Sequence, residues 1–344
     1  MRVGAIGLQH FHAHEMIAGL RGVPDVELVA IAEADDKTWQ EQGARYGLRR
    51  YADYLEMLES EKIEAVALVN ARAERARVAC ECLDLGVSVL SDKPVCMDLN
   101  ELAALRQAEA HSSAAIFLYL AERYNPPVIT LLDLVRQGTL GRVVSFTAFR
   151  PHKLNRDSRP EWFWKRETYG GILVDLTIHD VDVFRQATGV EVEEVYAIHA
   201  NVSTGEHPGF EDIGHMILRG YDGVVGVFRA DWLTPVGEPC HGDCRYFVVG
   251  DRGWAEVRTV GGLAEQTGGS VRVTTSTSSP VHAPLITPKT TIFDDFALAA
   301  GGDEPAISAH DIFRASELVL LGRESADLGV PVQGGRDDDR LRRA

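Results

Sequence analysis

Short hydrophobic runs alternate with helix-like patterns along the first part of the chain. The clearest runs lie at 3–7, 26–33, 64–70, 87–91 and 115–118. Several are almost continuously apolar, as expected for strands that helices cover on both faces of a parallel sheet. Strands that alternate with helices require crossover connections, so the pattern predicts a doubly wound α/β domain of the Rossmann type.

A different pattern begins near Tyr124. A helical pattern at about 127–137 is followed by longer runs in which apolar and polar residues alternate, as in strands with one solvated face. These runs lie at 142–149, 192–201, 215–219, 224–232 and 245–249, and further helical patterns lie at 171–187, 291–300 and 309–323. The second half is therefore predicted to be an α/β domain with a large, open antiparallel or mixed sheet.

The length of 344 residues exceeds what one hydrophobic core usually organises, so we expect two domains. Residues 1–122 are expected to form the Rossmann-type domain and residues 123–330 the second α/β domain. Residues 331–344 are rich in Gly, Asp and Arg and are expected to form a polar C-terminal tail.

Composition and charge exclude several classes of protein. The formal net charge is −16 and no run of Lys and Arg offsets it, which disfavours nucleic acid as a partner. No apolar stretch has the length of a membrane-spanning helix, and the N terminus leads straight into a strand pattern. We therefore expect a cytoplasmic protein. Its five scattered cysteines favour reduced thiols over a disulfide framework.

The first predicted strand leads into GAIGLQHFHAH at 4–14, the position at which a Rossmann domain binds the pyrophosphate of a dinucleotide. Gly7 occupies the first glycine position of the usual fingerprint, whereas Gln9 and His12 occupy the second and third. Glu33 ends the second strand and offers a carboxylate to the hydroxyls of an adenine ribose, and its charge favours NAD over NADP. A solvated acid at a strand end is the alternative interpretation of Glu33.

Three histidines in this stretch raise the alternative of a metal site. If the chain is helical from residue 12, His10 and His14 can share a face while His12 points elsewhere, so the three imidazoles do not converge. We therefore expect no metal. His12 is instead expected to line the pyrophosphate loop, or to pack where a glycine would let helix and strand approach.

Two further segments carry candidate catalytic residues. The sequence SDKP at 91–94 follows the fifth strand at its C-terminal end, where ligands bind in open α/β sheets. The sequence GGILVDLTIHDVD at 170–182 places Asp175 and His179 four residues apart on one helical face, with Asp182 further along. A carboxylate and an imidazole on one face can share a substrate hydroxyl, although an ordinary helix pair has the same spacing.

Taken in order, these features resemble the Gfo/Idh/MocA oxidoreductase family along roughly the first 330 residues. The matching elements are the Rossmann pattern, a Glu-Lys-Pro-like motif at 92–94, an Arg-Tyr-Asn-Pro junction at 123–126 and a Gly-Gly-x-x-x-Asp-x-x-x-His helix. The resemblance implies a Rossmann domain followed by an α/β domain with a large, mostly antiparallel open sheet. It also implies an NAD(P)-dependent dehydrogenase that acts on a carbinol of a sugar, cyclitol or sugar acid.

The resemblance assigns roles to particular residues. Lys93, Asp175 and His179 become the catalytic residues, with His179 as the base and Lys93 holding the substrate oxygen. The residues implied for cofactor binding are Gly7, Gln9, His10, Phe11, His12, Glu33, Asn70, Arg72, Arg75, Asp92, Lys93, Pro94 and Arg123. Those expected to bind substrate are Lys93, Trp164, Tyr169, Asp175 and His179, with core packing as the alternative for the two aromatic residues.

The sequence departs from the family pattern at two further positions. Asp92 replaces the usual glutamate and keeps its charge. Arg75 falls where the family usually has a histidine, and together with Arg72 it favours an anionic substrate, since guanidinium groups bind carboxylates. Surface cations at the start of a helix are the alternative interpretation of these two arginines.

Two other functions remain as alternatives because a fold does not determine a function. One is a non-catalytic dinucleotide-binding regulator, and the other is an NAD-dependent, redox-assisted glycosidase. The intact Lys93, Asp175 and His179 favour the dehydrogenase, whose partner is a small polyol or sugar rather than nucleic acid or a membrane. An open sheet face needs covering, so we also expect a homodimer or homotetramer.

Overall fold

The computed structural model describes residues 1–260 and 268–335, which form two compact units. The first unit comprises Met1–Leu120 and Thr290–Ser316. The second comprises the described residues within Ala121–Lys289 and from Glu317 to Gly335.

The sheet of the first unit has six parallel strands, which confirms the Rossmann-type fold expected from the sequence. They are β1 (Arg2–Ile6), β2 (Glu27–Ala32), β3 (Arg49–Tyr51), β4 (Ala65–Leu68), β5 (Ser88–Ser91) and β6 (Ile116–Leu118). Their order across the sheet is β3-β2-β1-β4-β5-β6, so the winding reverses between β1 and β4. Ligands bind outside the carboxyl ends of the strands at such a reversal.

Five α-helices alternate with these strands in the Met1–Leu120 segment. They are α1 (His12–Arg21), α2 (Asp36–Thr38), α3 (Tyr54–Glu61), α4 (Arg72–Asp84) and α5 (Leu99–His111). Aspartates cap three of them. Asp35 accepts from the last residue of α2, Asp53 from the second and third residues of α3, and Asp98 from the second and third residues of α5. Such caps satisfy amide groups that have no partner within the helix.

The sheet of the second unit has nine strands and is mostly antiparallel, as the family resemblance implied. They are β7 (Val143–Pro151), β8 (Val192–Ala200), β9 (Ile213–Gly220), β10 (Val225–Asp231), β11 (Arg245–Gly250), β12 (Gly253–Arg258), β13 (Ser270–Thr275), β14 (Ser278–His282) and β15 (Val332–Gln333). Their order is β14-β13-β12-β11-β7-β10-β9-β8-β15, and only the central β7–β10 pair among them is parallel.

The helix expected at 171–187 is interrupted, which corrects the sequence-based assignment. The second unit contains α6 (Pro126–Arg136), α7 (Arg166–Tyr169), α8 (Ile172–Leu176) and α9 (Ile178–Thr188). Thr177 separates α8 from α9, and its hydroxyl donates to the carbonyl of Leu173 four residues earlier. Threonine side chains that bond back to the helix in this way often bend it.

Two helices complete the chain: α10 (Ile292–Ala300) and α11 (Ala309–Leu328). Although α10 lies in the range expected for the second domain, it packs in the first unit. Its Phe296 ring lies 6.2 Å from Phe117, and its Phe293 ring lies 6.0 Å from Tyr119. Part of the expected polar tail forms β15, and residues 336–344 of that tail lie outside the described residues.

Candidate functional site

The loop from Gly7 to Phe11 joins β1 to α1. Gly7 has φ +82°, and a Cβ atom there would lie 2.4 Å from the Cα atom of Asn70, so only glycine fits. Gln9 and Phe11 are exposed, and α1 begins at His12. The loop therefore keeps the close backbone approach of the first fingerprint glycine, while side chains replace the other two.

Glu33 is fixed beneath this loop. Its Oε2 accepts from the amide of Leu8 at 3.0 Å, and its Oε1 accepts from the amide of Asp35 at 3.0 Å. Because only 5% of Glu33 is exposed, the alternative of a solvated acid is wrong. Each carboxylate oxygen has a further lone pair with which it can accept from a ribose hydroxyl.

His10 and His12 meet at Asp92, which corrects the expectation that His12 points away from its neighbour. His10 Nδ1 lies 3.3 Å from Asp92 Oδ2, and His12 Nδ1 lies 2.7 Å from Asp92 Oδ1. His10 precedes the helix and so does not follow helical spacing. His14 instead contacts Tyr46 and Arg45.

Burial and charge set the protonation of this cluster. Burial lowers the pKa of His10 to about 3, although Asp92 acts to raise it. Burial alone would raise the pKa of Asp92, but His12, His10 and Arg75 outweigh burial and hold the pKa well below its ordinary value. Asp92 is therefore an ionised carboxylate, and His10 is neutral at physiological pH.

Arg72 and Arg75 are buried, so the alternative of surface cations is wrong for both. Arg75 Nη1 donates to the carbonyls of Asp92 at 3.3 Å and Pro94 at 2.9 Å. Its Nη2 donates to the carbonyl of Asn70 at 2.9 Å and lies 3.5 Å from Asp92 Oδ2. Arg75 thus ties the end of β4 to the loop that carries Lys93.

Lys93 lies in this loop after β5 and is buried. Its amide donates to Asp92 Oδ1 at 2.8 Å. The same carboxylate therefore contacts His10, His12 and the backbone of Lys93. The first unit brings together most residues expected to bind the cofactor, and sequence reasoning did not foresee that Asp92 links them.

In the second unit, Asp175 lies in α8 and His179 lies in α9. Asp175 is buried, and His179 is partly exposed. Because the helix is broken at Thr177, the two residues do not lie on one uninterrupted helix, and the regular four-residue spacing of a helical face does not apply to them.

Two arginines with largely buried side chains hold α9 next to His179. Arg123, expected to bind the cofactor, forms a bidentate pair with Asp182, with Nε–Oδ2 at 2.7 Å and Nη2–Oδ1 at 2.6 Å. Arg150 donates to Asp180 Oδ1 through Nε at 2.9 Å and through Nη2 at 2.6 Å. These pairs fix α9 at the first and third residues after the candidate base.

Sequence reasoning missed the charge cluster around Arg150. Arg150 also donates to Glu122 at 2.9 Å and to the Tyr246 hydroxyl at 2.7 Å. Burial raises the pKa of Asp180, and the Arg150 guanidinium acts against that rise. Asp180 and Asp182 lie among apolar residues of a buried segment, and a buried carboxylate needs a cation as its partner. These two acids were therefore the sign in the sequence that buried arginines lie nearby.

The aromatic residues before α8 form a packed cluster. Trp164 stacks on His207 with ring centroids 4.0 Å apart and an angle of 8°. Tyr169 is fully buried against Phe163, and its hydroxyl accepts from Trp232 Nε1 at 2.9 Å. Core packing, the alternative interpretation, accounts for the position of Tyr169.

The Rossmann sheet, its glycine-initiated loop and the acid at the end of β2 define a dinucleotide-binding α/β protein. Residues 1–119 match the model of an oxidoreductase family with an NAD-binding Rossmann fold, and residues 128–256 match the Gfo/Idh/MocA C-terminal domain. The chain belongs to the Gfo/Idh/MocA family, and it is an oxidoreductase that acts on CH–OH groups.

Individual relatives agree with this membership. The chain is 27% identical over 237 residues to a myo-inositol 2-dehydrogenase from Thermotoga maritima, covering 66% of this chain and 67% of the relative. It is 24% identical over 271 residues to an inositol 2-dehydrogenase from Rubrobacter xylanophilus, covering 77% and 73%. A crystal structure from Erwinia carotovora atroseptica, named provisionally as an oxidoreductase, matches with a TM-score of 0.87 at 30% identity and covers 95% of this chain and 98% of its own.

Within residues 1–260 and 268–335, no helix is both long and apolar enough to span a membrane.

Proposed function

We propose that this protein is an NAD-dependent dehydrogenase that moves a hydride between the nicotinamide and a ring carbinol of a neutral cyclitol or sugar. The observation that carries the proposal is the buried cluster in which Asp92 supports both the Lys93 backbone and the two loop histidines. Relatives named as inositol 2-dehydrogenases support a cyclitol as the substrate class.

The residues of the first unit fit a dinucleotide. Gly7 leaves room that a Cβ atom would fill, and Asn70 lies directly beside it. The Oδ1 atom of Asn70 is buried and has no hydrogen-bond partner within the described part of the chain, so it is available to a ligand. Glu33 would bind the adenine ribose, and Asn70 and the loop amides would face the rest of the cofactor.

NAD rather than NADP is the proposed cofactor. The Glu33 carboxylate would repel a 2′-phosphate. Arg50 is a cation beside Glu33. It donates from Nε to the Glu33 carbonyl at 3.0 Å and from Nη2 to the Ala34 carbonyl at 3.1 Å, and its Nη1 pairs with Asp36 at 2.6 Å. Because its three nitrogens are already engaged, Arg50 is poorly placed to bind a phosphate.

The bound cofactor would supply the hydride acceptor. The protein would remove the proton of the substrate hydroxyl and stabilise the negative charge on the substrate oxygen. His179 would take the proton from the substrate hydroxyl, since an imidazole titrates near neutral pH. Lys93 would hold the substrate oxygen and stabilise the negative charge that develops on it. Asp175 would orient the neighbouring hydroxyls or the imidazole, and Trp164 would supply an apolar wall.

A neutral substrate follows from the contacts of Arg75. Its guanidinium donates to three backbone carbonyls, so its hydrogen-bonding capacity serves the loop rather than an anion. Arg72, the other arginine from which an anionic substrate was expected, is buried as well. A polyol without a carboxylate is therefore the preferred substrate.

We also propose a cytoplasmic homo-oligomer, a dimer or a tetramer, with a second copy covering the open sheet face. Tyr196 and Ile198 on β8 and Ile217 on β9 are exposed, and Tyr196 pairs with Ile217 in the register of the two strands. Phe247 on β11 is exposed as well. Large apolar side chains along one sheet face are typical of a surface that another chain covers.

A substrate panel tests the proposal. Purified protein is supplied with NAD⁺ and with myo-inositol, scyllo-inositol, glucose, a uronate or a tartrate, and NADH formation is followed by absorbance. We expect the wild type to turn over a neutral cyclitol or sugar, and we expect Lys93→Ala and His179→Ala to lose this activity. Turnover confined to the acidic compounds would contradict the neutral substrate class, and equal rates with NADP⁺ would contradict the cofactor assignment.

A further inference from the structure

We propose that His10, His12 and Asp92 form a binding site for a divalent transition-metal ion of the zinc class. These side chains belong to the cluster on which the proposed function rests, but the metal goes beyond that function because the family assignment and the proposed mechanism require none. The site also reverses the expectation that the histidines of this stretch do not converge.

The three side chains present ligand atoms at metal-site spacing. One nitrogen from each histidine and one carboxylate oxygen all lie within 4.8 Å of one another. The two measured contacts are 3.3 Å from His10 Nδ1 to Asp92 Oδ2 and 2.7 Å from His12 Nδ1 to Asp92 Oδ1. The two contacts use different oxygens of the carboxylate. Ligand atoms of a tetrahedral zinc site lie about 3.3–3.6 Å apart, so the three side chains would have to close in from spacings of up to 4.8 Å.

The ligand types are those that zinc and its neighbours in the transition series prefer. Two imidazoles and one carboxylate leave one coordination position for water or a ligand, as in metal sites with three protein ligands. Imidazole nitrogen also excludes Mg²⁺ and Ca²⁺ as preferred occupants, because those ions favour oxygen. The proposed occupant is therefore a zinc-like ion rather than a hard cation.

The carboxylate is held in place before any metal arrives. Asp92 is fully buried, and the side chains of His10 and His12 are only 11% and 13% exposed. The Lys93 amide donates to Asp92 Oδ1, and Arg75 lies 3.5 Å from Oδ2. Hydrogen bonds of this kind orient metal ligands and so reduce the entropy lost on binding.

The same neighbours limit the affinity. The Arg75 guanidinium repels a dication near the Asp92 carboxylate, and the protein supplies three ligands rather than four. We therefore expect micromolar binding rather than the much tighter binding of four-ligand structural sites. An occupied site would link the loop after β1 to the loop after β5 and so stabilise the first unit.

The chain offers a matched control. His14 lies in the same stretch and is also an imidazole, but it contacts Tyr46 and Arg45 instead of Asp92. His14→Gln therefore removes one histidine from the segment without touching the proposed site. His10→Gln and His12→Gln each remove one ligand of the same chemical type.

The test uses the full-length protein, treated with a chelator and titrated with Co²⁺ as a spectroscopic probe, without dinucleotide or substrate. We expect one Co²⁺ per chain, visible absorption bands of a four- or five-coordinate ion, displacement by Zn²⁺ and a rise in Tm. His10→Gln and His12→Gln should each weaken binding at least about tenfold, because removal of mere partners of metal ligands already costs about 10–100-fold. His14→Gln should bind as the wild type does.

Two results would overturn the proposal. One is the absence of Co²⁺ and Zn²⁺ binding by the wild type. The other is equal binding by wild type and the two ligand variants, each with an unchanged circular dichroism spectrum. Neither result bears on NADH binding or turnover, which are measured separately, so failure of the metal site and failure of the dehydrogenase assignment remain distinguishable.

Discussion

Arg75 donates to the backbone carbonyls of the residues immediately before and after Lys93. A buried guanidinium therefore holds the loop that presents the candidate catalytic lysine. The sequence suggested that Arg75 selects an anionic substrate, but these bonds make it a positioning residue.

Arg75→Ala should lower kcat strongly and raise the KM for NAD⁺ by a smaller factor, since Arg75 also holds the carbonyl of Asn70. Loss of the guanidinium leaves buried carbonyls without donors and lets the Lys93 loop move, and a misplacement of about 1 Å can cost roughly 10²-fold in rate. Arg75→His, which restores the residue usual in the family, should recover more activity than Arg75→Ala. Steady-state kinetics of the wild type, Arg75→Ala and Arg75→His give kcat and the KM for NAD⁺ separately.

The control for this prediction is Arg77→Ala on the same helix. Arg77 is exposed and pairs with Glu81, so its removal should leave kcat unchanged. A KM increase in Arg75→Ala that appears only with acidic substrates would show instead that Arg75 binds an anion.

Lys93→Ala and His179→Ala should each reduce kcat by about 10²-fold or more, the usual scale for a missing acid, base or oxyanion partner. NADH binding should persist in His179→Ala, because that residue is assigned to the proton rather than the cofactor. His111→Ala, which removes an exposed imidazole from α5, is the matched control. Turnover near that of the wild type in either catalytic variant would remove that residue from the mechanism.

Asp180→Ala should destabilise the protein by about 3–5 kcal/mol, since it leaves the buried Arg150 charge without its main partner. Replacing both residues, Arg150→Met with Asp180→Leu, should cost less than the single change because no unpaired arginine remains. Urea denaturation of the wild type and both variants measures the difference. Equal losses in the single and double variants would mean that the cost comes from packing and not from charge.

Glu33→Gln should narrow the preference for NADH over NADPH by about tenfold. The amide still accepts from the Leu8 backbone but no longer repels a 2′-phosphate, and a tenfold ratio corresponds to about 1.4 kcal/mol. Parallel titrations with the two reduced cofactors give the ratio. If the ratio is unchanged, the Glu33 charge does not discriminate between them.

Stability should fall as the pH drops below the ordinary histidine value of 6.5, partly because of His199. Burial lowers the pKa of His199 in the folded protein, so between that value and 6.5 the unfolded chain binds more protons. The stabilising contribution is thus present above about pH 6.5 and is lost as the pH falls. Urea denaturation at about pH 8 and about pH 5.5 should show a smaller loss for His199→Gln than for the wild type.

The central strands could be read from the sequence because strands buried on both faces are continuously apolar. In contrast, β3 escaped detection because it is short and two of its three residues, Arg49 and Arg50, are charged. The placement of α10 in the first unit depends on ring contacts of Phe293 and Phe296, which no local pattern encodes. Local periodicity thus predicted the types of the main elements but not their long-range packing.

In the candidate site, too, the sequence predicted the residues of local motifs but not the contacts made by long-range packing. Motif order identified Lys93, Asp175 and His179, since their spacing along the chain is itself the signal. The convergence of His10 and His12 was missed because His10 lies in the turn before α1, where helical spacing does not apply. The burial of Arg75 was missed because a charged residue near a helix start is usually solvated, and only the folded loop supplies its carbonyl partners.

Dinucleotide binding is measured by titration of the purified protein with NADH and, separately, with NADPH, with energy transfer from tryptophan to the nicotinamide as the signal. We expect saturable, micromolar binding of NADH and weaker binding of NADPH, which would show that a loop with Gln9 and His12 still binds a dinucleotide. Absence of binding by either cofactor would contradict the proposed dehydrogenase and would favour a function that does not use this loop.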